Sequence, residues 1–243
     1  MIRPLLIAGT FLTRLPLPNR EVRDQEFGAA AACFPIWGFG IGALALGLYV
    51  SCHGWLGPAL SACALVAYAA LISGGLHLDG LADWFDALGG GRGDRERMLS
   101  IMRDPRIGAH GASALVIVLG TKLVALASLP PSAANMALLA APAAARWAVV
   151  CMLWSFPSAR SEGLGRTLAD AVRLRHVLIA SVFLGLGLAV IGGAVMWPLL
   201  LASLAAAAIG AWALQRLDGL TGDVHGAAIE LAELMFYVGC ARP

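Results

Sequence analysis

Residues 58–86 read PALSACALVAYAALISGGLHLDGLADWFD, an apolar run of bilayer length that leads directly into three aspartates. The run contains no Asp, Glu, Lys or Arg before Asp79, and about 20 apolar residues are what a membrane-spanning helix needs. Asp79, Asp83 and Asp86 then follow at positions i, i+4 and i+7, which places them on one face of a helix. Because like charges at this spacing repel, the acidic face predicts a compensating cation.

The chemistry of this acidic face favours a divalent metal ion. Carboxylate oxygens suit Mg²⁺, the ion that bridges carboxylates to substrate phosphates. The alternative is a solvated helix end with scattered acids. Acids are scarce in this chain, with 15 Asp and Glu in 243 residues, yet six of them fall between Asp79 and Asp104. The sequence therefore predicts a magnesium–phosphate site.

The composition predicts an all-α, polytopic membrane protein. Hydrophobic residues make up 59% of the chain and charged residues 13%, against about 25% charged in soluble proteins. Six apolar segments are predicted to span the bilayer: Ala32–Cys52, Pro58–Leu76, Gly111–Leu129, Asn135–Phe156, Val177–Val195 and Pro198–Gln215. A seventh segment, Ala227–Ala241, is shorter and carries two glutamates, and residues 1–17 are predicted to form an interfacial or partly inserted helix. We expect residues 1–243 to form a single integral membrane domain.

Arginines predict the orientation of the chain. They cluster before the first span (Arg3, Arg14, Arg20 and Arg23) and after the second, fourth and sixth, whereas the other connections lack Lys and Arg. The positive-inside rule then makes the N-terminus and the loops 77–110, 157–176 and 216–226 cytoplasmic. Two further cations, Lys122 and Arg146, fall within spans, where each should face the bundle interior or snorkel. For Arg146, a functional role and a structural ion pair are both open.

Two weaker signals exclude other classes of site and partner. The five cysteines lie singly, without paired spacing, so neither a disulfide framework nor a zinc site is predicted. The net charge is only +2, and the basic residues follow the membrane topology of the chain. No nucleic-acid partner is therefore expected.

The loop after the acidic face carries further candidates. Glycines at 89–93 break the first helix, Asp94 is a plausible N-cap for a short helix at 97–102, and Pro105 ends it. Arg103 and Arg106 can present bidentate donors to phosphate, and Asp104 can join the metal shell or orient an arginine. The alternative is an arginine cluster at the membrane surface.

A second acidic group lies near the C-terminus. Thr221 or Asp223 is expected to cap a helix beginning near residue 224. Asp223, Glu230 and Glu233 then lie toward one side of that helix. If the helix enters the membrane, its carboxylates need a partner, and the first acidic face, through Mg²⁺, is the economical candidate. The alternative is an interfacial helix with its acids in water.

Three histidines, His77, His110 and His225, flank the acids. Each can act as a general base or as a hydrogen-bond donor to substrate. A polar histidine at the membrane interface is the more common explanation for each.

Five motifs in the chain match a known family: Gly74-Gly75-Leu-His77-Leu-Asp79-Gly80-Leu-Ala-Asp83, Met-Arg103-Asp104-x-Arg106-x-Gly108-x-x-Gly111, Phe11-Leu-Thr13-Arg14-Leu-Pro16, Ala159-Arg160-x-Glu162-Gly163-Leu-Gly165 and Thr221-Gly222-Asp223-x-x-Gly226-Ala-x-x-Glu230. With these motifs the sequence resembles the cobalamin synthase family, the adenosylcobinamide-GDP ribazoletransferases. The departures are small: Trp84 stands where a small or hydroxyl residue is common, and Ala87 where glycine is usual.

The resemblance implies the last step of nucleotide-loop assembly in vitamin B12. A ribose hydroxyl of α-ribazole, or of α-ribazole 5′-phosphate, attacks a phosphorus of adenosylcobinamide-GDP, and GMP leaves in a Mg²⁺-dependent reaction. The expected location is the bacterial inner membrane. The expected partners are the lipid bilayer and these substrates. The number of subunits is left open, and a homo-oligomer is one of the possibilities. The alternative function is a cation-coupled transporter whose acids form an ion pathway.

The expected site residues fall into three groups. The metal ligands are Asp79, Asp83, Asp86, Asp223 and Glu230. The catalytic residues are Asp83, His77, Arg103 and Arg106, with the general base left open between a carboxylate and His77. The substrate-binding residues are Arg14, Arg103, Asp104, Arg106, His110, Arg160 and Thr221.

Overall fold

The protein folds as a bundle of helices in the computed structural model, which describes residues 2–18, 22–192 and 194–241. Arg20, one of the arginines counted ahead of the first span, lies outside the described residues. The helices are α1 Ile2–Leu12, α2 Glu26–Ala32, α3 Phe34–Ser73, α4 Leu76–Gly90, α5 Arg95–Ile101, α6 Ala109–Ala127, α7 Pro131–Ser155, α8 Leu164–Ala171, α9 Leu174–Ile191, α10 Met196–Leu217 and α11 Gly222–Cys240. The predicted all-α, polytopic fold class is confirmed.

Among the described residues, five helices are long and apolar enough to cross a membrane, namely α3, α6, α7, α9 and α10. The 40-residue α3 contains both of the first two predicted spans, because Gly57 (φ 72°, ψ 176°) and Pro58 interrupt it. The Tyr68 hydroxyl donates to the Ile41 carbonyl at 2.9 Å. Along one continuous helix these residues would stand about 40 Å apart, so α3 folds back on itself at Gly57. Its two halves thus correspond to two antiparallel spans.

The centre of the bundle is α7, whose alanines permit close approach of its neighbours. Ala140, Ala141 and Ala143 are fully buried. A Cβ on Gly42 of α3 would lie 2.5 Å from the Leu138 carbonyl oxygen. Small residues on both sides let the two backbones pack in contact, which is how helices associate in lipid.

The helix predicted as a weak seventh span, α11, lies inside the bundle. Its residues from Val224 to Cys240 are mostly buried against α4, α7 and α10. It begins earlier than predicted, at Gly222, and Thr221 caps it by accepting a hydrogen bond from the Val224 N–H. Of the two predicted caps, Thr221 and Asp223, the structure shows Thr221.

Four charged side chains anchor α11 within the bundle. Lys122 of α6 contacts Glu230 at 2.6 Å and Glu233 at 3.0 Å, and Arg146 of α7 contacts Glu233 at 2.7 Å. None of the four is more than 6% exposed. Snorkelling by Lys122 is therefore excluded, and Arg146 forms a structural ion pair. Two cations and two carboxylates balance, so the glutamates of α11 find their partners here rather than at the acidic face of α4.

Two glycines bring α4 against the first turns of α11. A Cβ on Gly80 would lie 2.7 Å from the backbone oxygen of Asp223, and one on Gly226 would lie 3.2 Å from the carbonyl oxygen of His77. A side chain at either position would separate the helices. The close approach sets Asp79 and Asp83 of α4 beside Asp223.

We predict that Gly80→Ala destabilises the protein, because its methyl group would overlap the Asp223 backbone and such overpacking costs about 1–3 kcal/mol. Thermal unfolding in detergent measures the effect. The matched control is Gly120→Ala in α6, where a Cβ meets no atom within 4 Å and helix propensity favours alanine. Equal unfolding temperatures for the two variants would contradict the close α4–α11 contact.

Lys122→Met is predicted to destabilise the protein by about 3–5 kcal/mol, because it leaves the buried Glu230 carboxylate without its cationic partner. The double variant Lys122→Met/Glu230→Met removes both charges and should unfold close to the wild type, because Glu233 keeps Arg146. The control is Arg166→Gln, which breaks an exposed pair with Asp170 and should cost no more than about 1 kcal/mol. A single variant as stable as this control would show that the buried pairing is not required.

Candidate active site at the α4–α11 junction

The acidic face of α4 begins at a sharp turn made by two glycines. Gly74 (φ 63°) and Gly75 (φ 75°) both adopt the left-handed conformation that ends α3 and starts α4. The Arg14 side chain packs directly over Gly74, where a Cβ would collide with it, and the Arg14 N–H donates to the Ile72 carbonyl at 2.9 Å. The turn therefore holds Arg14 beside the first residues of α4.

The structure brings three of the predicted metal residues together, namely Asp79, Asp83 and Asp223, and we call these three side chains the carboxylate group. Asp79 is exposed, and Asp83 and Asp223 are half-buried. Burial, together with the negative charges of Asp79, Asp223 and Asp86, raises the pKa of Asp83 to about 7. Carboxylates crowded in this way favour a bound cation, which would relieve their repulsion.

Asp223 also has partners of its own. Arg160 donates to its Oδ2 atom at 2.9 Å, and the Thr221 hydroxyl lies 3.2 Å from the same atom. These contacts place Arg160 and Thr221, both predicted to bind substrate, next to the carboxylate group.

Asp86 lies on the same face of α4 but has another role. Its Oδ2 atom accepts a hydrogen bond from the Gly108 N–H at 2.7 Å, and its Oδ1 atom accepts one from the Gly111 N–H at 2.8 Å. Asp86 thus caps the N-terminus of α6 with both oxygens, a favourable place for a negative charge. A Cβ on Gly108 or Gly111 would collide with it, which gives a reason for glycine at both positions.

Two other predicted residues lie away from the carboxylate group. Glu230 is paired with Lys122, so the sequence-based placement of Glu230 in the metal shell is revised: its charge is already balanced inside the bundle. His110 lies at the start of α6, with its ring against Gly89.

His77 is buried at the start of α4. Burial and the positive charge of Arg146 lower the pKa of its imidazole to about 3. The ring is therefore neutral at physiological pH and a weak proton acceptor.

The loop that carries Arg103, Asp104 and Arg106 forms one wall of the site. The Arg106 guanidinium donates two hydrogen bonds to the Asp104 carboxylate, at 2.9 and 2.6 Å. The Arg106 backbone N–H donates a third, at 3.0 Å. These bonds lower the pKa of Asp104 to about 2. Asp104 therefore orients Arg106, one of the two roles predicted for it. Arg103 is exposed beside them.

Two clefts meet at the carboxylate group. The polar cleft, with a cavity volume of about 720 Å³, is lined by Arg14, Asp83, Arg103 and Arg106 among others. The apolar cleft, with a cavity volume of about 280 Å³, is lined by Phe11, Phe34, Val149 and Leu153 together with Arg160 and His225. Leu76, Asp79 and Asp223 line both clefts. Molecules bound in the two clefts would meet at these aspartates.

Arg95 supports the site, although no motif or spacing in the sequence singles it out. Its Nε donates to the Leu217 carbonyl at 2.8 Å and its guanidinium also donates to the Ala159 carbonyl at 2.9 Å. Ala159 in turn donates to the Leu220 carbonyl at 2.9 Å. Arg95 thereby ties together the two chain segments that deliver Arg160 and Asp223. In sequence it is one arginine among several in a charged loop, so only its contacts distinguish it.

The donor set fits Mg²⁺ more closely than a softer metal. Within residues 2–18, 22–192 and 194–241, no three His, Cys, Asp or Glu side chains converge tightly enough to hold a metal by themselves. Mg²⁺ is commonly bound through one or two carboxylates and completed by water and substrate phosphates. Asp79, Asp83 and Asp223 offer oxygen donors of this kind.

Comparison with known proteins places the chain in a family. Residues 4–241 match the family described as cobalamin-5-phosphate synthase. A protein of Pseudomonas paraeruginosa named adenosylcobinamide-GDP ribazoletransferase is 40% identical over 99% of this chain and 98% of its own length. Proteins of the same name from Citrobacter koseri and Pseudomonas fluorescens are 39% and 41% identical, covering 93% and 98% of this chain and 94% and 98% of their own lengths.

No solved structure matches the chain. The family match spans almost the whole sequence, and it confirms the prediction that this is a transferase rather than a transporter. The chain belongs to the cobalamin-5-phosphate synthase family.

Proposed function

We propose that the protein joins adenosylcobinamide-GDP to α-ribazole, or to α-ribazole 5′-phosphate, and releases GMP. The relatives named above supply the type of substrate. The observation that carries the proposal is the meeting of two clefts at Asp79 and Asp223. A transferase with two substrates needs such a junction, because it must hold both reacting groups in contact.

In the proposed reaction, the 3′-hydroxyl oxygen of the ribose attacks the phosphorus that is bonded to the aminopropanol arm of the cobinamide. A new P–O bond forms, and the bond from that phosphorus to the bridging oxygen of the diphosphate breaks. GMP leaves with the bridging oxygen, and the hydroxyl proton passes to a carboxylate or to water. His77 is the poorer acceptor, since it is buried and its pKa is lowered to about 3.

The residues of the polar cleft supply charge stabilisation. Phosphoryl transfer depends mainly on positioning and on neutralising the developing negative charge. Arg103, and Arg106 as oriented by Asp104, are placed to donate to phosphate oxygens. Arg14, held at the Gly74 turn, lies in the same cleft.

We include Mg²⁺ in the proposal, with Asp79, Asp83 and Asp223 as its protein ligands. When bound there, the ion would neutralise the diphosphate and the charge of the leaving GMP. Asp86 is left out because both of its oxygens cap α6, and Glu230 because it is paired with Lys122. The raised pKa of Asp83 supports a cation among these three carboxylates.

The transporter alternative finds no support in the membrane-embedded carboxylates. A cation pathway needs acids that can exchange their partners. Glu230 and Glu233 are instead held by Lys122 and Arg146.

Purified protein incubated with adenosylcobinamide-GDP, α-ribazole and Mg²⁺ should release GMP, and chelation of the metal should stop it. Asp83→Asn should lower turnover by at least a hundredfold without changing expression, since it removes one charge from the carboxylate group. The matched control is Asp94→Asn, which keeps a side-chain oxygen able to cap α5 and should remain active. Full activity of Asp83→Asn at saturating Mg²⁺ would contradict its role, and ion flux without GMP release would support a transporter.

We further propose that the site faces the cytoplasm from the bacterial inner membrane, with loops 77–110, 157–176 and 216–226 on that side. A reporter that fluoresces only in the cytoplasm should be active when fused after Gly91 or Arg166. It should be silent when inserted in residues 130–134, where Lys and Arg are absent. The reverse pattern would invert the assigned orientation.

A further inference from the structure

The two clefts differ in the chemistry of their walls. Neither Arg14 nor Arg103 of the polar cleft forms an ion pair with a carboxylate anywhere in the described ranges. In the apolar cleft, by contrast, Arg160 is paired with Asp223 and Arg166 with Asp170. The two unpaired arginines therefore lie in the polar cleft. Together with a cation held by Asp79, Asp83 and Asp223, they suit a diphosphate.

The apolar cleft suits a flat, uncharged ring. Phe11, Phe34, Val149, Leu153 and Ile229 line it, and such a wall excludes water and packs against aromatic surface. A diphosphate placed there would lose hydration without gaining cations to replace it.

Two buried polar atoms on residues that line this cleft have no partner. Within the part of the chain that the structure describes, His225 Nε2 and Arg160 Nε form no hydrogen bond. Buried polar atoms are normally satisfied, and both side chains line the apolar cleft. Their free hydrogen-bonding capacity fits a ligand that carries hydroxyl groups next to an apolar ring.

We infer that the apolar cleft is the acceptor site, in which the aromatic base of the nucleoside packs against the apolar wall and His225 hydrogen-bonds to its ribose. This inference rests on the proposed function and assigns one substrate to each cleft. The ribose would then lie toward Asp79 and Asp223, where the clefts join. The diphosphate of the donor occupies the polar cleft. His225 is accordingly a residue that determines specificity for the acceptor.

Binding measurements in detergent, without the donor, test this assignment. His225→Leu should weaken the binding of α-ribazole about tenfold, which is the effect of losing one hydrogen bond to a polar ligand group. His225→Gln keeps a hydrogen-bonding group and should restore at least a third of the affinity. Arg103→Gln alters the polar cleft alone and should leave the affinity for α-ribazole within twofold of wild type. Wild-type affinity in His225→Leu, or an equal loss in Arg103→Gln, would overturn the assignment.

A competition experiment needs only the wild-type protein and therefore does not depend on the folding of any variant. GDP should fail to displace α-ribazole, because the two occupy different clefts, whereas 5,6-dimethylbenzimidazole should compete with it. Displacement by GDP alone, or no binding of α-ribazole at all, would overturn the inference. Protein that binds both ligands independently but releases no GMP from the full reaction would contradict the proposed function and leave the cleft assignment standing.

Discussion

The ion pairs between α11 and its neighbours fix the position of the site. Glu230 and Glu233 bring two negative charges into an apolar bundle, where unpaired charge is strongly unfavourable. Helix α11 can therefore settle only where Lys122 and Arg146 meet those carboxylates. Asp223 lies seven residues before Glu230, about 10 Å along the helix axis. The pairing inside the bundle thus determines where the first turn of α11, and its aspartate, comes to lie.

The acids of α4 and α11 have three different roles despite their similar spacing. Asp86 caps α6 through the N–H groups of Gly108 and Gly111, and the glutamates of α11 anchor that helix. Asp79, Asp83 and Asp223 remain beside one another without a full complement of cations. Burial and this unbalanced negative charge both raise the pKa of Asp83, and the imbalance is the reason for proposing a site for chemistry here rather than a structural contact.

The connections between the helices matter as much as the helices themselves. Arg95 joins the segments near Ala159 and Leu217, and a short pairing of Ser158 with Leu220 extends that contact. Arg160, which follows Ala159 in the first of these segments, donates a hydrogen bond to Asp223. The two clefts are lined by different residues, except that Leu76, Asp79 and Asp223 line both. An enzyme with this arrangement can recognise two unlike substrates independently and still bring them together at one point.

The sequence by itself determined the fold class, the spans, the cap at Asp94 and the family, and it narrowed the cap of α11 to Thr221 or Asp223. These follow from local patterns: apolar length, capping side chains and motif residues act over a few neighbours or along one helix. Sequence also placed Asp79, Asp83 and Asp223 in one candidate group.

Only the tertiary structure separated the roles of residues that look alike in sequence. Asp86 and Glu230 have the residue types and spacing of metal ligands, but their partners, the N-terminus of α6 and Lys122, are distant in the chain. Arg95 and His225 gain their significance from carbonyl groups and cleft walls that helix packing creates. The physical reason is that a side chain's charge balance and hydrogen-bond partners depend on long-range contacts, which periodicity and spacing do not encode.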